Sequence, residues 1–158
     1  MFSFNERFNT GEAHEQRVAE ELRQRGWTVD PWGQGALSPE IRDAIYRNES
    51  RLRFLPDLIA ARHGELVTID CKTAMPSTNS GRYAVKRECV NFGLQMAALG
   101  VPLLYVFGNL GVLVPTEVMS YGTLGRRSTG GGAYYLVVER LTHNFDDIFG
   151  DPSIVAAA

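Results

Sequence analysis

The chain has 158 residues, with 16 lysines and arginines against 18 aspartates and glutamates, and a formal net charge of −2. Hydrophobic residues make up 44% and charged residues 22%, which is typical of a globular protein and excludes wholesale disorder. A strongly basic nucleic-acid coat is excluded, and so is a membrane-spanning protein, because no run of about 18 apolar residues exists. We expect a single domain over 1–158, with a core over about 10–114 and C-terminal strands and a tail over 115–158.

The cysteines and the N-terminus favour a cytoplasmic, reducing compartment. Cys71 and Cys89 are too few for a disulfide framework, and neither stands in a CxxC pair. The segment Met1–Arg7 lacks the basic-then-apolar order of a signal peptide, so we expect none. Only Lys72 and Lys86 are lysines, which makes the surroundings of each lysine informative.

Helix and strand patterns alternate along the chain. The predicted elements of the first half are a helix over 11–26 capped by Thr10, a strand over 27–29, a loop over 31–35, and a helix from Pro39 to about Arg47 capped by Ser38. Those of the second half are strands over 55–62 and 65–73, a loop over 76–81, a helix over about 86–99, and strands over 101–107, 112–114 and 133–140. This order predicts an α/β fold with a central mixed sheet flanked by helices.

The two strands joined at His63-Gly64 place charged residues together at one end. If these two residues form the loop, the pairing places Asp57 directly opposite Asp70, with β-carbons about 4.5–5.5 Å apart. Period-two alternation puts Lys72 on the same face as Asp70. Both faces of this hairpin are otherwise largely apolar, so we expect an inner hairpin with its charges clustered at one end.

Such a cluster is destabilising in a protein interior unless something compensates it. Mg²⁺, for which Mn²⁺ commonly substitutes, takes oxygen ligands and retains waters for a phosphate substrate. A lysine beside it can orient or deprotonate the attacking water, or stabilise negative charge on the phosphate. The alternative interpretation is that Asp57 and Asp70 are ordinary strand-end residues and that Lys72 is their salt-bridge partner.

The string Pro56-Asp57, twelve residues, then Asp70-Cys71-Lys72 resembles the PD-(D/E)XK nuclease superfamily. The resemblance spans about residues 10–114 and implies a restriction-endonuclease-like core that cleaves DNA with Mg²⁺. It implies that Asp57 and Asp70 hold the metal, that the backbone carbonyl of Cys71 is a further ligand, and that Lys72 is catalytic. Asp70 is shorter than the glutamate common in resolvases, which changes the distance to a metal.

The opening helix resembles that of archaeal Holliday-junction resolvases, in Gly11 and Glu15 followed by Val18, Leu22 and Gly26. This resemblance implies that Glu15 is the third acid, with Glu12 as its competitor, and that the substrate is branched DNA. It also implies a homodimer, for which the strands 112–114 and 134–138 are candidate interfaces. Many members carry a glutamine or a basic residue in the helix after the site, near the catalytic lysine, and Gln95 matches this pattern; the alternative is an amide at the edge of the core that is bonded to backbone.

Several arginines, one lysine and one tyrosine are candidates for contacting a nucleic-acid backbone. They are Arg51, Arg53, Arg82, Lys86, Arg87, Arg126 and Arg127, with Arg47, Arg62 and Tyr83 as further candidates. The glycines of the loop over 126–132 permit close approach to a backbone. We expect the three histidines, His14, His63 and His143, to lie on the surface.

Four functional hypotheses follow from the sequence. The first is a structure-selective, metal-dependent deoxyribonuclease. The second is a nuclease of restriction or phage-replication type that acts on unbranched DNA. The third is a nucleic-acid-binding protein that keeps the nuclease fold without the chemistry, and the fourth is a structural subunit that never meets nucleic acid.

Overall fold

The structure is a computed structural model that describes residues 4–75, 79–126 and 132–151. The helices are α1 (Phe4–Gln24), α2 (Pro39–Arg47), α3 (Arg87–Ala98), α4 (Pro115–Tyr121) and α5 (Phe145–Phe149). The strands are β1 (Thr28–Pro31), β2 (Leu58–Arg62), β3 (Glu65–Lys72), β4 (Arg82–Lys86), β5 (Leu103–Phe107), β6 (Val112–Leu113), β7 (Thr123–Arg126) and β8 (Ala133–Val138). Short 3-10 turns cover Gly33–Ala36, Arg51–Phe54 and Glu139–Leu141.

The strands form two sheets. A five-stranded sheet has the order β1-β2-β3-β5-β6, in which β3 and β5 are parallel and the other neighbours antiparallel. A three-stranded antiparallel sheet has the order β4-β8-β7. The predicted α/β class with a central mixed sheet flanked by helices is therefore confirmed, and the second sheet is an addition to it.

Two apolar clusters fill the two faces of the larger sheet. On one face, Leu104 and Val106 of β5 pack with residues of α1 and α5. On the other face, Leu103, Tyr105 and Phe107 pack with residues of α3, α4, β4 and β8. The alternation along β5 explains this division, because successive side chains of a strand point to opposite faces. A strand buried on both faces reads as a continuous apolar run, as this one does.

Helix α1 is amphipathic, and its buried stripe includes a histidine. His14, Val18 and Leu22 follow one another at intervals of four and are all buried. The Nε2 atom of His14 donates to the carbonyl oxygen of Val106 at 3.1 Å, so the expectation that His14 lies on the surface is wrong. The helix begins at Phe4, so Thr10 lies inside it and is not its cap.

The β2–β3 hairpin has the predicted register. Leu58 pairs with Ile69 and Arg62 with Glu65. His63 and Gly64 both have positive φ, which suits a two-residue turn whose twist matches that of the strands. Residue 57 directly precedes β2, and the register places it at the level of residue 70. The hairpin therefore has a closed end at the turn and an open end at the two aspartates.

Other boundaries differ from the prediction for local reasons. The segment Arg82–Lys86 is a strand, so helix α3 begins one residue later than expected. Strand β6 ends at Leu113 because Pro115 starts α4, where Glu117 Oε2 accepts the backbone N–H of Val114 at 3.0 Å. Val112 and Leu113 are 1% and 0% exposed, so the expectation that they form a dimer interface is wrong.

Within the described ranges, no helix is long and apolar enough to cross a membrane.

Candidate active site

The open end of the β2–β3 hairpin brings Asp57, Asp70 and Lys72 together. Asp70 is buried on β3, and the Nζ atom of Lys72 donates to its Oδ1 at 2.9 Å. The Oδ2 atom of Asp57 accepts the backbone N–H of Cys71 at 2.7 Å, which holds this carboxylate against β3. The structure therefore assembles the three side chains that the register of the hairpin predicts to be neighbours.

Burial and the charge of Asp70 disfavour the charged forms of two carboxylates at the site, Asp57 and Glu15. Burial raises the pKa of Asp57 well above its ordinary range, the charge of Asp70 raises it further, and Lys72 offsets only part of this. Burial and then the charge of Asp70 also raise the pKa of Glu15. Three carboxylates thus share one ammonium group, and a bound cation would relieve the excess negative charge.

Lys72 is held in its charged form. Burial alone would lower its pKa, but Asp70 in particular, and Asp57 as well, raise it above the ordinary value. The side chain as a whole retains 22% exposure, so it lies at the edge of the core and is not sealed inside it. A protonated lysine donates hydrogen bonds and stabilises negative charge, whereas it cannot accept a proton from water.

Glu15 reaches the site from α1. It is half-buried and lines a cleft of about 770 Å³ together with Glu12 and Asp57. Glu12 is exposed, and its charge contributes to the raised pKa of Glu15. The coupling of Glu15 to both Asp70 and Lys72 associates it with the open end of the hairpin. A second groove of about 790 Å³, near Arg140 and His143, includes none of these site residues in its lining.

The donor set fits a hard divalent cation by its chemistry. Carboxylate oxygens are the ligands that Mg²⁺ prefers, and the site carries an excess of negative charge. Over the described ranges, no three acidic, histidine or cysteine side chains converge closely enough to form a ready-made metal cluster. Asp57 and Asp70 could hold a cation, and Glu15 is the nearby acid on another element.

Cys71 contributes its backbone to the site. Its side chain packs against the apolar cluster beneath α1, on the face opposite Asp70 and Lys72. Burial raises the pKa of its thiol well above the ordinary value, and the neighbouring aspartates raise it further. The thiol is therefore neutral, and the backbone N–H of this residue positions Asp57.

Gln95 lies on α3 and is exposed. Its Oε1 atom accepts a hydrogen bond from the guanidinium of Arg51, which also lies 6.0 Å from the centre of the Phe92 ring. Among the described residues, this bond links Gln95 to the 3-10 turn over residues 51–54. The structure thus gives Gln95 a partner other than Lys72.

The candidate phosphate contacts differ in their exposure and in their partners. Arg82, Lys86 and Arg87 are exposed around the β4–α3 junction, whereas Arg53 is half-buried, 3.7 Å from Glu88 and stacked on Phe54. The side chain of Arg126 and the whole of Arg127 lie outside the described residues. Arg62 and Tyr83 are buried, so both expectations of a backbone contact are wrong. Arg47 is exposed and pairs with Asp43 at 2.9 Å.

Arg42 is a cleft residue that the sequence did not indicate. This residue lies on α2, is half-buried and lines the same cleft as Glu15 and Asp57. The available signal was topological, because the chain returns from α2 directly to Asp57. A polar residue in the segment that leads to Asp57 can lie near the site. An arginine on a short helix is common, however, so the sequence alone does not identify Arg42 as a site residue.

The fold has a counterpart among solved structures. A structure of Hjc from Archaeoglobus fulgidus, a Holliday junction resolvase from an archaeal hyperthermophile, matches with a TM-score of 0.55 and 13% identity, covering 90% of this chain and 97% of the other. A bacterial homing endonuclease, I-Ssp6803I, matches with a TM-score of 0.44 and 16% identity, covering 99% and 92%. No family model and no curated protein sequence matches. The chain thus has the restriction-endonuclease-like fold of the resolvase, as its motif implies.

Proposed function

We propose that the protein is a metal-dependent endonuclease that hydrolyses DNA phosphodiester bonds at the open end of the β2–β3 hairpin. The observation that carries the proposal is the assembly of Asp57, Asp70 and Lys72, in which a buried carboxylate is bonded to a lysine beside a second carboxylate of raised pKa. The likeness of the fold to a resolvase supports it.

The residues of the site have separable roles in this proposal. Asp57 and Asp70 would hold Mg²⁺, or Mn²⁺ in its place, and Glu15 would complete the carboxylate set from α1. The carbonyl of Cys71 remains a candidate ligand. When bound, the metal would activate a water and stabilise charge on the phosphate. As water adds to phosphorus, one P–O ester bond would break, and a carboxylate of raised pKa, Glu15 or Asp57, would accept the proton of that water. Lys72, being protonated, would donate a hydrogen bond to the attacking water or to a phosphate oxygen, and the departing oxygen would take its proton from solvent.

We also propose that the enzyme selects branched DNA and works as a homodimer in a reducing compartment. The resolvase that shares this fold is described by its substrate, the Holliday junction. Two strands of a junction must be cut, and a dimer supplies two sites. Both cysteines are free thiols, in keeping with a reducing environment. Sedimentation equilibrium with and without a four-way junction measures the oligomeric state.

A cleavage assay tests the proposed activity. Four-way junction, duplex and single-stranded DNA are incubated with Mg²⁺ or Mn²⁺ and the wild-type protein, Lys72→Ala or Asp70→Asn. We expect both variants to lose at least about 100-fold in rate, as on removal of a group that stabilises transition-state charge. Asp147→Asn, an exposed acid on α5, is the control for the change in charge. Unchanged cleavage by both site variants would refute the assignment, and equal cleavage of duplex DNA would refute branch selectivity.

A nucleic-acid-binding protein without catalysis is the second candidate. The observation in its favour is that Lys72 already neutralises Asp70 and that no three-ligand cluster is preformed in the described part of the chain. Calorimetry separates the two candidates. Heat of binding from DNA but not from Mn²⁺ would favour the second, and heat from both would favour the nuclease.

A further inference from the structure

The connection between β1 and β2, residues 32–57, forms an arm that begins and ends beside the site. The backbone N–H of Trp32 donates to the carbonyl oxygen of Asp57 at 2.8 Å, so the neck of the arm closes on an active-site residue. Gly33 has φ +60°, and a β-carbon there would lie 2.5 Å from the carbonyl oxygen of Pro56. The neck therefore requires glycine and leaves the arm little freedom to move away from Asp57.

The far part of the arm is fastened to α3. Arg51 donates to Gln95, and Arg53 lies 3.7 Å from Glu88. The amide of Gln34 donates to the carbonyl oxygen of Arg53 at 3.0 Å, which ties the two 3-10 turns of the arm together. The arm is thus a fixed wall of the 770 Å³ cleft, while α1 forms another.

Among the described residues that line this cleft, Arg42 is the cation without a partner. Three arginines line the cleft; Arg23 donates to the carbonyl oxygen of Val29 at 3.1 Å, and Arg53 faces Glu88. Within the part of the chain that the structure describes, the guanidinium of Arg42 has neither a hydrogen bond nor an ion pair. It is half-buried and carries five N–H donors, although Glu15 and Asp57 line the same cleft.

We infer that Arg42 binds a backbone phosphate of the DNA strand that is cut. A guanidinium matches the geometry of a phosphate in a bidentate manner, and the cleft supplies a cation on the arm and carboxylates on α1 and at Asp57. A strand in this cleft would have its phosphates drawn to the arm and its scissile group drawn to the proposed metal. This inference rests on the proposed function and names its substrate contact.

The volume of the cleft favours one strand over a duplex. A cavity of about 770 Å³ is in the range that encloses a single small ligand, so it accommodates a few nucleotides of one strand. We therefore expect the contact to form where a single backbone leaves the duplex, such as a branch point or a flap.

The salt dependence of DNA binding tests the contact directly. Binding of a labelled forked DNA is measured by fluorescence anisotropy without metal, over a series of salt concentrations, for the wild type, Arg42→Ala, Arg42→Lys and Arg140→Ala. We expect Arg42→Ala to weaken binding about tenfold and to reduce the slope of log affinity against log salt by about 0.7, the value for one contact to a single strand. Arg42→Lys should retain the slope, because it keeps the charge. Arg140, an exposed residue outside this cleft, serves as the charge control and should leave the slope unchanged.

The outcomes separate this inference from the proposed function. A wild-type slope in Arg42→Ala, with the fold intact by circular dichroism, would overturn the phosphate contact even if the enzyme cuts DNA. A slope that depends on Arg42 in a protein that cuts no DNA would keep the contact and overturn the nuclease. Binding of inorganic phosphate that depends on Arg42, together with DNA binding whose salt slope does not depend on Arg42, would assign Arg42 to free phosphate and overturn the strand contact.

Discussion

The two ends of the β2–β3 hairpin bury charge in opposite ways. At the closed end, Arg62 is 9% exposed, and its guanidinium donates to the carbonyl oxygens of Arg25, Phe149 and Gly150 at 2.9–3.0 Å. It also stacks 4.4 Å above the ring of Trp27. At the open end, two carboxylates and Glu15 lie around the single ammonium group of Lys72, and burial together with the charge of Asp70 raises the pKa of both Asp57 and Glu15.

This contrast distinguishes a structural charge from a functional one. The backbone carbonyls around Arg62 satisfy its donors, so this buried cation joins α1, α5 and the hairpin turn. The open end leaves negative charge uncompensated, which lowers stability in the absence of a ligand. Uncompensated carboxylates favour the binding of a cation, because the cation supplies the positive charge that the open end lacks.

The largest expected effect lies at the closed end. Arg62→Ala leaves three carbonyl oxygens without their donor and removes the packing over Trp27. We expect the free energy of unfolding to fall by about 3–5 kcal/mol, measured by urea denaturation. Arg62→Lys keeps the charge but loses the planar fork, so its loss should be intermediate. A decrease in the free energy of unfolding that is smaller than that of a typical surface substitution would show that the closed end does not stabilise the fold.

The open end should respond in the opposite direction. Asp57→Asn removes a buried charge that Asp70 repels, while the amide oxygen can still accept the N–H of Cys71. We expect the free energy of unfolding to rise by about 1 kcal/mol at pH 7 without metal. Asp57→Ala, which loses the acceptor as well, is the matched control and should show a smaller gain or none.

The pH dependence of this gain has a defined sign. The pKa of Asp57 in the folded protein is raised above its ordinary value of 3.8, so the folded state binds more protons than the unfolded state. The wild type therefore loses stability as the pH rises from about 3.8 through the folded pKa. The gain in Asp57→Asn should be absent at pH 3 and complete only above the folded pKa. A gain that is equal at both extremes would contradict the electrostatic explanation.

The smallest effect concerns the buried stripe of α1. Burial lowers the pKa of His14 below its ordinary value of 6.5, although its bond to Val106 opposes this shift. The unfolded chain therefore takes up the proton first, so stability is complete above pH 6.5 and falls as the pH drops below it. Guanidinium unfolding at pH 7.5 and 5.5 should show a loss, at most about 1.4 kcal/mol per pH unit, that is smaller in His14→Gln. An equal loss in both proteins would mean that His14 does not titrate in this way.

Local pattern was enough to predict the centre of the site. The two-residue turn at His63-Gly64 sets the register, and the register places Asp57 and Asp70 level with each other. Alternation along β3 then puts Lys72 beside Asp70, where its salt bridge is found. These inferences involve neighbours within one hairpin, so turn geometry and strand period decide them without knowledge of the rest of the fold.

Long-range contacts decided what the sequence could not predict. Strand β4 pairs with β8, about fifty residues further along the chain, and so forms the second sheet. Histidine is a polar residue type, so the local sequence suggests a surface position for His14. Its ring is instead buried and bonded to Val106, which is far away in the sequence. Arg42 stands on an ordinary amphipathic helix, and only the return of the arm to Asp57 places it in the cleft. Pairing across such distances leaves no periodic signal in the local sequence.

Binding of Mn²⁺ tests the central claim, that the open end of the hairpin is a site for a divalent cation. Isothermal titration calorimetry with Mn²⁺ is performed on the wild type, Asp57→Asn, Asp70→Asn and the control Asp147→Asn, each shown to be folded. We expect the wild type and the control to bind with equal affinity, and each site variant to bind at least about tenfold more weakly, because each loses a charged oxygen ligand. Equal binding by all four proteins, or no binding by the wild type, would contradict the account.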